Sequence, residues 1–546
     1  MTETANNARL HPSTAGGLAG PAATGTAPEP SPASPRTIHE AVAHWARRQP
    51  DAPAIVFRGE PISYRVLDAA SDEYARALAE QGAGPGTVVP VLLRRSPQLV
   101  ATLLGVLKCG AAYAALDHRW PAERIRTVLD ILDPPLLVTD APTGSGMRSW
   151  VPPTEDLPEA AARGGRPPSC TVDPSAVATV FFTSGTTGAP KGVLSPHRAT
   201  TRLFHGDTFA DFAPGRAMPQ TAPAAWDGYT LETWGMLTSG GTSAIVEGDY
   251  LLPAQLRDLV TSFGVDTAWL TASLFNLFVD EDVECFAGMR QVLTGGERLS
   301  VPHVRKFLRR HPDIALINGY GPVESCVFVT THRIRPSDCD LDGGIPIGTA
   351  VPRTRAVVLD GDRPVRGELG EICVAGEGLA LGYLGAPEAT AERFVTRTLD
   401  GRPTTLYRTG DQGVLDDSGV LHFRGRTDRQ VKIAGNRIEP DDVEAAARRI
   451  PGLRECLAVA VPGTDGTVER LALFYTVEPE GGPAPAAVRR ELSATLPRYL
   501  VPHHLYRREA LPRTANGKLD QHALLALVPE AGEPATRVRS SAGSRG

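Results

Sequence analysis

No run of about twenty apolar residues occurs anywhere in this chain, so no segment reads as a membrane-spanning helix. The first residues also lack the charged-then-apolar pattern of a secretory signal. Cysteine is sparse and poorly spaced for chemistry. The seven cysteines, at 109, 170, 285, 326, 339, 373 and 456, form no Cys-x-x-Cys clip and are odd in number. They argue against a disulfide frame or a cysteine zinc site and read as free thiols in a reducing compartment. An excess of positive charge is missing as well. Lys and Arg number 56 against 62 Asp and Glu, a formal net charge of −6, which provides no basic face for nucleic acid. These absences place the protein in the cytoplasm, away from membrane and nucleic acid.

What remains is ordinary soluble-protein composition, 42% hydrophobic and 22% charged, spread over 546 residues. A chain longer than ~250–300 residues divides into domains. Residues 1–35, almost wholly Ala, Gly, Pro, Ser and Thr, have too little apolar surface to order themselves, and 529–546 is similar. Between them, apolar runs such as Val88–Leu93, Leu136–Val138, Val177–Phe182, Ile314–Ile317 and Ala356–Leu359 alternate with helical patterns. Ser96–Leu107 is expected to be a helix with Leu99, Leu103, Leu104 and Leu107 on one face. Such alternation predicts an α/β architecture with parallel sheets. Near Gly419–Asp428 a strand over Val420–Phe423 is expected to lead into a polar hinge, Gly425–Asp428. Beyond it, helices over Glu439–Arg449 and Ala487–Leu496 and strands over Leu457–Val461 and Leu471–Val477 make a small α+β domain. The predicted division is 36–427 and 428–528.

The stretch from Phe181 to Val193, FFTSGTTGAPKGV, carries the most chemistry. A buried strand empties into a loop of hydroxyls (Thr183, Ser184, Thr186, Thr187), glycines (Gly185, Gly188) and one cation, Lys191. Glycines let backbone N–H groups turn toward an anion, hydroxyls add donors and the lysine adds a point charge, so the loop suits phosphate. It lacks the Gly-x-x-x-x-Gly-Lys-Ser/Thr spacing of nucleoside-triphosphatase loops, which argues against a kinase or GTPase.

This loop closely resembles the signature of adenylate-forming enzymes, the superfamily of acyl-CoA synthetases, luciferases and nonribosomal peptide synthetase adenylation domains. Further matches run from about residue 36 to 525: Ile62-Ser63-Tyr64, Lys108–Tyr113, Asn318–Glu324, Gly367–Ile372, Tyr407–Asp411, Gln430–Glu439, Leu496–Pro502 and Leu511–Asp520. The resemblance implies a large N-terminal domain of stacked sheets with helices plus a small barrel, and a small mobile C-terminal domain hinged at Asp428. It implies that ATP is held by the 183–188 loop and Lys191 with Gly296, Glu297, Asn318, Tyr320, Gly321, Asp411 and Arg426. Tyr320 would stack on adenine, Asp411 would hold the ribose with Arg426 beside it, and Glu324 would hold Mg²⁺ beside the phosphates. Lys518, on the Asn516-Gly517 turn, would bridge the substrate carboxylate and the phosphate. Two positions depart from the family pattern: Val323 replaces a usual threonine and Ala434 a frequent arginine.

The phosphate loop is common to the superfamily and cannot name the acid. Asp227, in Ala225-Trp226-Asp227-Gly228, matches the aspartate that grips an α-ammonium group. A carboxylate in a pocket is costly unless a cation answers it, and an aryl or fatty acid provides none. The remaining matched pocket positions are Gly228, Leu231, Trp269, Leu293, Gly295, Gly319, Val327 and Phe328, all without charge or amide. Trp269 and Phe328 are expected to take up volume and the glycines to return some. A small aliphatic L-amino acid, valine or 2-aminobutyrate, follows, with overlap toward alanine and isoleucine because one methylene is worth only ~1–3 kcal/mol. The resemblance implies formation of aminoacyl-AMP with release of pyrophosphate, then transfer to a phosphopantetheine thiol. No carrier domain or Gly-Gly-x-Ser motif follows residue 520, so a separate carrier protein is the expected partner. An acyl- or aryl-CoA ligase, or a non-catalytic adenylate-binding regulatory protein, are the alternative readings. Asp227 argues against the first, and the presence of Lys518, Glu324 and Asp411 against the second.

Overall fold

The computed structural model describes residues 37–141, 147–153, 156–183, 190–206, 209–463, 468–479, 481–513 and 519–528. The expected termini 1–35 and 529–546, the loop residues Ser184, Gly185, Thr186, Thr187 and Gly188, and Lys518 lie outside the described residues. The chain forms two compact units, and along the main chain the division falls between Asp428 and Arg429.

Among the described residues the first unit is built on four sheets. One has six strands in the order Ser149–Trp150, Leu137–Thr139, Val88–Leu92, Ala112–Ala115, Val177–Thr183, Lys191–Pro196, parallel except for the last pair. A second has five, in which Thr267–Thr271, Gln291–Gly295 and Ala315–Tyr320 run parallel and are followed antiparallel by Thr330–Arg333 and Thr349–Ala350. A four-stranded sheet joins Pro53–Phe57 to Ala217–Gln220 and Thr242–Ile245. Where a small barrel is expected, six antiparallel strands between Thr354 and Arg426 form a sheet around the long strand Arg402–Leu415.

Local chemistry explains the first unit's buried helices. Ser96 caps Pro97–Lys108 by accepting the Leu99 N–H at 3.2 Å, and proline fills the first turn. The expected one-sided apolar face is instead buried all round. This helix packs on Tyr64–Glu80 closely enough that a Cβ on Gly105 would sit 3.1 Å from the Ala75 nitrogen. Its one charge, Lys108, pairs with Asp68 at 2.7 Å and with Asp72. The Ser63-Tyr64 pair has a plain structural task. Ser63 caps the helix, and the buried Tyr64 hydroxyl donates to the Gly241 carbonyl at 2.7 Å.

The strand expected over Val420–Phe423 is longer than the sequence suggests and runs from Leu421 to Arg426. Gly425 and Arg426, expected in the hinge, pair with Gln412 and Asp411 inside the sheet, which leaves Thr427 and Asp428 beyond its end.

The second unit contains the hairpin Val431–Ile433/Asn436–Ile438, turned at Ala434 and Gly435, both with positive φ. Three strands, Leu453–Pro462, Val468–Val477 and His504–Arg507, form its sheet. Helices Pro440–Arg448 and Pro485–Thr495 bury Val443, Ala447, Val488 and Leu492 in a common core with Ile438, Leu473 and Tyr475.

Candidate active site

The parallel strands of the five-stranded sheet bring the first group of predicted residues together. Trp269 pairs in register with Leu293 and Leu293 with Ile317; two positions on, Thr271, Gly295 and Gly319 align at the carboxyl ends. Ligands of open α/β sheets bind beyond those ends. Leu231, Leu293, Val327 and Phe328 lie in one buried apolar cluster, with Trp269 packed against it. The Trp269 and Phe328 rings meet edge-on, 5.3 Å between centroids. The glycines do not return the volume expected of them. A Cβ on Gly319 would lie 2.2 Å from the Phe328 ring, one on Gly295 would meet the Gly319 carbonyl, and Gly228 faces the Trp269 indole. The space at Gly319 is therefore already filled by an aromatic ring.

Asp227 stands half-buried beside this cluster, and its Oδ2 accepts the backbone N–H of Val327 at 3.1 Å. Its loop, Thr221–Tyr229, is closed by a side chain that sequence reasoning missed. Glu232, in a π-helical turn at Thr230–Trp234, accepts the Thr221 N–H and hydroxyl at 2.6 Å each and the Ala222 N–H at 2.7 Å. Such turns recur at functional sites. Burial pushes the Glu232 carboxyl up to about 7, against those hydrogen bonds.

A second group surrounds Glu324. Thr183 and Lys191 pair across the hairpin that flanks the predicted phosphate loop. The Lys191 ammonium lies over the Tyr383 ring, 5.7 Å from its centroid, and the Tyr383 hydroxyl donates to Glu324 Oε1 at 2.8 Å. Tyr383 lies 59 residues from Glu324, with no local pattern to announce it. Val323, where the family has threonine, packs against the apolar cluster of Phe181, Val193, Ala380 and Tyr383. Its methyl groups thus have a packing role that a hydroxyl would weaken.

The third group joins Tyr320, Asp411 and Arg426. The Tyr320 hydroxyl donates to Asp411 Oδ2 at 2.5 Å, Asp411 pairs with Arg426, and Arg426 Nε reaches Asp428 at 2.7 Å. The Tyr320 ring is buried with Val329, Ile347 and Tyr407. Burial and the adjacent Asp411 charge hold its phenol well above the ordinary tyrosine range. Asn318 donates to the Pro346 carbonyl at 2.8 Å, and Glu297 accepts from Ser273 at 2.7 Å. Gly321 has no room for a side chain, since its Cβ would lie 2.4 Å from the Val327 carbonyl oxygen. Gly296 is the open one, with nothing within 4 Å of where a Cβ would stand.

Among the described residues no group of three or more His, Cys, Asp and Glu could hold a metal by protein ligands alone. One buried carboxylate is nonetheless what Mg²⁺ uses when nucleotide phosphates complete its shell, so Glu324 fits that ion. No helix among the described residues is long and apolar enough to cross a membrane.

The AMP-binding enzyme family matches residues 42–384 and the AMP-binding enzyme C-terminal domain matches 442–518. Tyrocidine synthase 3 of Brevibacillus parabrevis is 34% identical over 89% of this chain, and malpibaldin synthetase of Mortierella alpina 36% identical over 90%. The chain spans only 8% and 9% of those two proteins. Among solved structures, holo-PA1221, an NRPS protein containing adenylation and PCP domains bound to a vinylsulfonamide inhibitor, superposes with a TM-score of 0.82 at 36% identity, over 90% of this chain and 84% of that one. PA1221 in a second structure gives 0.78 at 35% identity, over 90% and 97%. The chain thus belongs to the AMP-binding enzyme family, as an adenylating ligase of the nonribosomal peptide synthetase adenylation-domain type.

Proposed function

We propose that this enzyme activates a small aliphatic L-amino acid, valine or 2-aminobutyrate, as aminoacyl-AMP with release of pyrophosphate, and passes it to the phosphopantetheine thiol of a carrier protein. The observation that carries the amino-acid reading is the Asp227 carboxylate, held by the Val327 N–H beside an otherwise apolar cluster. An α-ammonium group answers that charge, and Leu231, Trp269, Leu293, Val327 and Phe328 leave no polar partner for a charged or amide side chain. The ring packed against Gly319 favours a short side chain.

The chemistry asks little of acid–base catalysis, since a carboxylate is already a nucleophile at neutral pH. Attack on the α-phosphorus needs alignment and charge neutralisation. In this reading Thr183 and Lys191, with Ser184, Gly185, Thr186, Thr187 and Gly188, hold the phosphates, and Gly296, Glu297, Asn318 and Gly321 line the nucleotide side. Tyr320, Asp411 and Arg426 hold the nucleoside, Lys518 bridges the two reactants, and Asp428 is the hinge. Bound Mg²⁺, held by Glu324 and the phosphates, would supply positive charge to the leaving pyrophosphate. The Lys191–Tyr383–Glu324 arrangement supports this assignment, because one ring orients both a cation and the metal-binding carboxylate. PCP domains occur beside adenylation domains in the structural neighbours, which supports a carrier partner.

Amino-acid-dependent ATP–pyrophosphate exchange tests the proposal. Valine and 2-aminobutyrate are expected to give the highest rates, and Asp227→Ala is expected to erase the preference for amino acids over their deaminated analogues. Equal wild-type turnover of acids with and without the amine would support a CoA-ligase-like enzyme instead.

A further inference from the structure

The wall that faces Asp227 is held in an uncommon backbone geometry. Cys326 has φ 51° and Val327 φ 61°. A β-branched residue rarely adopts this left-handed region, and it persists only where the surroundings over-determine it. The surroundings here centre on one side chain, Arg202. It is 1% exposed, and its four hydrogen bonds all go to carbonyl or hydroxyl oxygens. Nη2 donates to the carbonyls of Ser325 and Phe328, both at 2.8 Å, which ties together the two ends of the strained turn. Nη1 returns to the Ala199 carbonyl at 2.7 Å, and Nε reaches the Thr354 hydroxyl at 3.1 Å. Burial pushes the guanidinium down to about 10, so it stays charged at neutral pH. The site is also built around the guanidinium from outside: a Cβ on Gly378 would lie 2.3 Å from Nη2.

The turn so clamped is the one that points the Val327 N–H at Asp227 and carries two pocket side chains, Val327 and Phe328. We propose that Arg202 is a positioning and specificity-determining residue. By stapling Ser325 to Phe328 it aims the Val327 amide at Asp227 and sets how far the Val327 and Phe328 side chains reach toward the substrate. Arg202 does not touch substrate; it acts through the turn. A planar fork with donors on both nitrogens meets carbonyls on either side of it, which a lysine ammonium does not reproduce. The inference rests on the reading of Asp227 as the ammonium partner.

The test uses Arg202→Gln, Arg202→Lys and Thr354→Val, the last removing a single acceptor from the guanidinium. Exchange kinetics are measured against the amino acid, its deaminated analogue and ATP, alongside thermal unfolding. Misplacing a pocket wall by a fraction of an ångström is expected to raise the amino-acid KM about tenfold or more in both Arg202 variants. The ATP KM is expected to stay within about twofold, and the preference for the amine to narrow. Thr354→Val should move the same quantities in the same direction by less, and it carries the test if the Arg202 variants fail to fold. A loss of kcat alone, with amino-acid KM and amine preference kept in the folded variants, would overturn the clamp and leave Asp227 as read. Wild-type protein without amine preference would overturn the reading of Asp227 and this inference with it.

Discussion

Glu232 illustrates how a single buried side chain couples the site to solution conditions. Its carboxyl is fully buried and raised from 4.5 to about 7, chiefly by desolvation. A folded-state pKa above the unfolded value means that the folded chain binds the extra proton between those two values. Stability therefore falls as pH rises from 4.5 to about 7, by about 3 kcal/mol if the whole shift is expressed. Glu232→Gln keeps the acceptor for Thr221 and Ala222 and cannot ionise. Urea unfolding of this variant is expected to show a flatter pH dependence across that window; an unchanged slope would assign the effect elsewhere. At this scale the sequence was legible where residues sit in runs. Asp227, Glu324, Tyr320 and Asp411 were reachable because neighbouring residues form recognisable patterns. Glu232, Tyr383 and Arg202 were not, since their roles depend on partners distant in sequence, such as Ala222 for Glu232, Glu324 for Tyr383 and Phe328 for Arg202.

Among elements, the three parallel strands that end at Thr271, Gly295 and Gly319 are the least tolerant of change. Gly295 has φ 154°, and a Cβ there would stand 2.0 Å from the Gly319 carbonyl oxygen on the next strand. Backbone cannot swing aside as a side chain can. Gly295→Ala is expected to cost at least about 3 kcal/mol or to abolish soluble expression. Gly296→Ala, with nothing within 4 Å but φ 81°, should lose about 1 kcal/mol. Thermal unfolding of the two variants side by side checks the contrast. Elements declared by local chemistry were read closely: Val177–Thr183 emerges from an apolar run, and Pro97–Lys108 from a serine cap and a proline. Two features were misjudged for tertiary reasons. The Pro97–Lys108 helix is covered on every side because other elements enclose it. The strand Leu421–Arg426 outlasts its apolar residues because Arg426 finds Asp411 across the sheet.

Over the whole molecule, the cysteines offer a simple check of packing. Six of the seven are buried and Cys170 is half-buried. Burial pushes the thiols of Cys109, Cys285, Cys373 and Cys456 up to about 12, far from the nucleophilic thiolate. Titration of the native protein with a disulfide reagent is expected to modify Cys170 at most, and all seven after denaturation. Rapid native labelling of several thiols would show that the packing opens. Membership in an adenylate-forming family was available from consecutive residues, because phosphate-binding loops, caps and turns are local chemistry; the expected pocket positions, scattered from Gly228 to Phe328, came only through the resemblance those runs carry. That the Phe328 ring fills the space at Gly319, which ring orients Lys191 and Glu324, and what holds Val327 in a strained conformation came only with the folded chain. Those properties arise from side chains distant in sequence meeting at contact distance, and residue spacing along one strand or helix carries no record of such meetings.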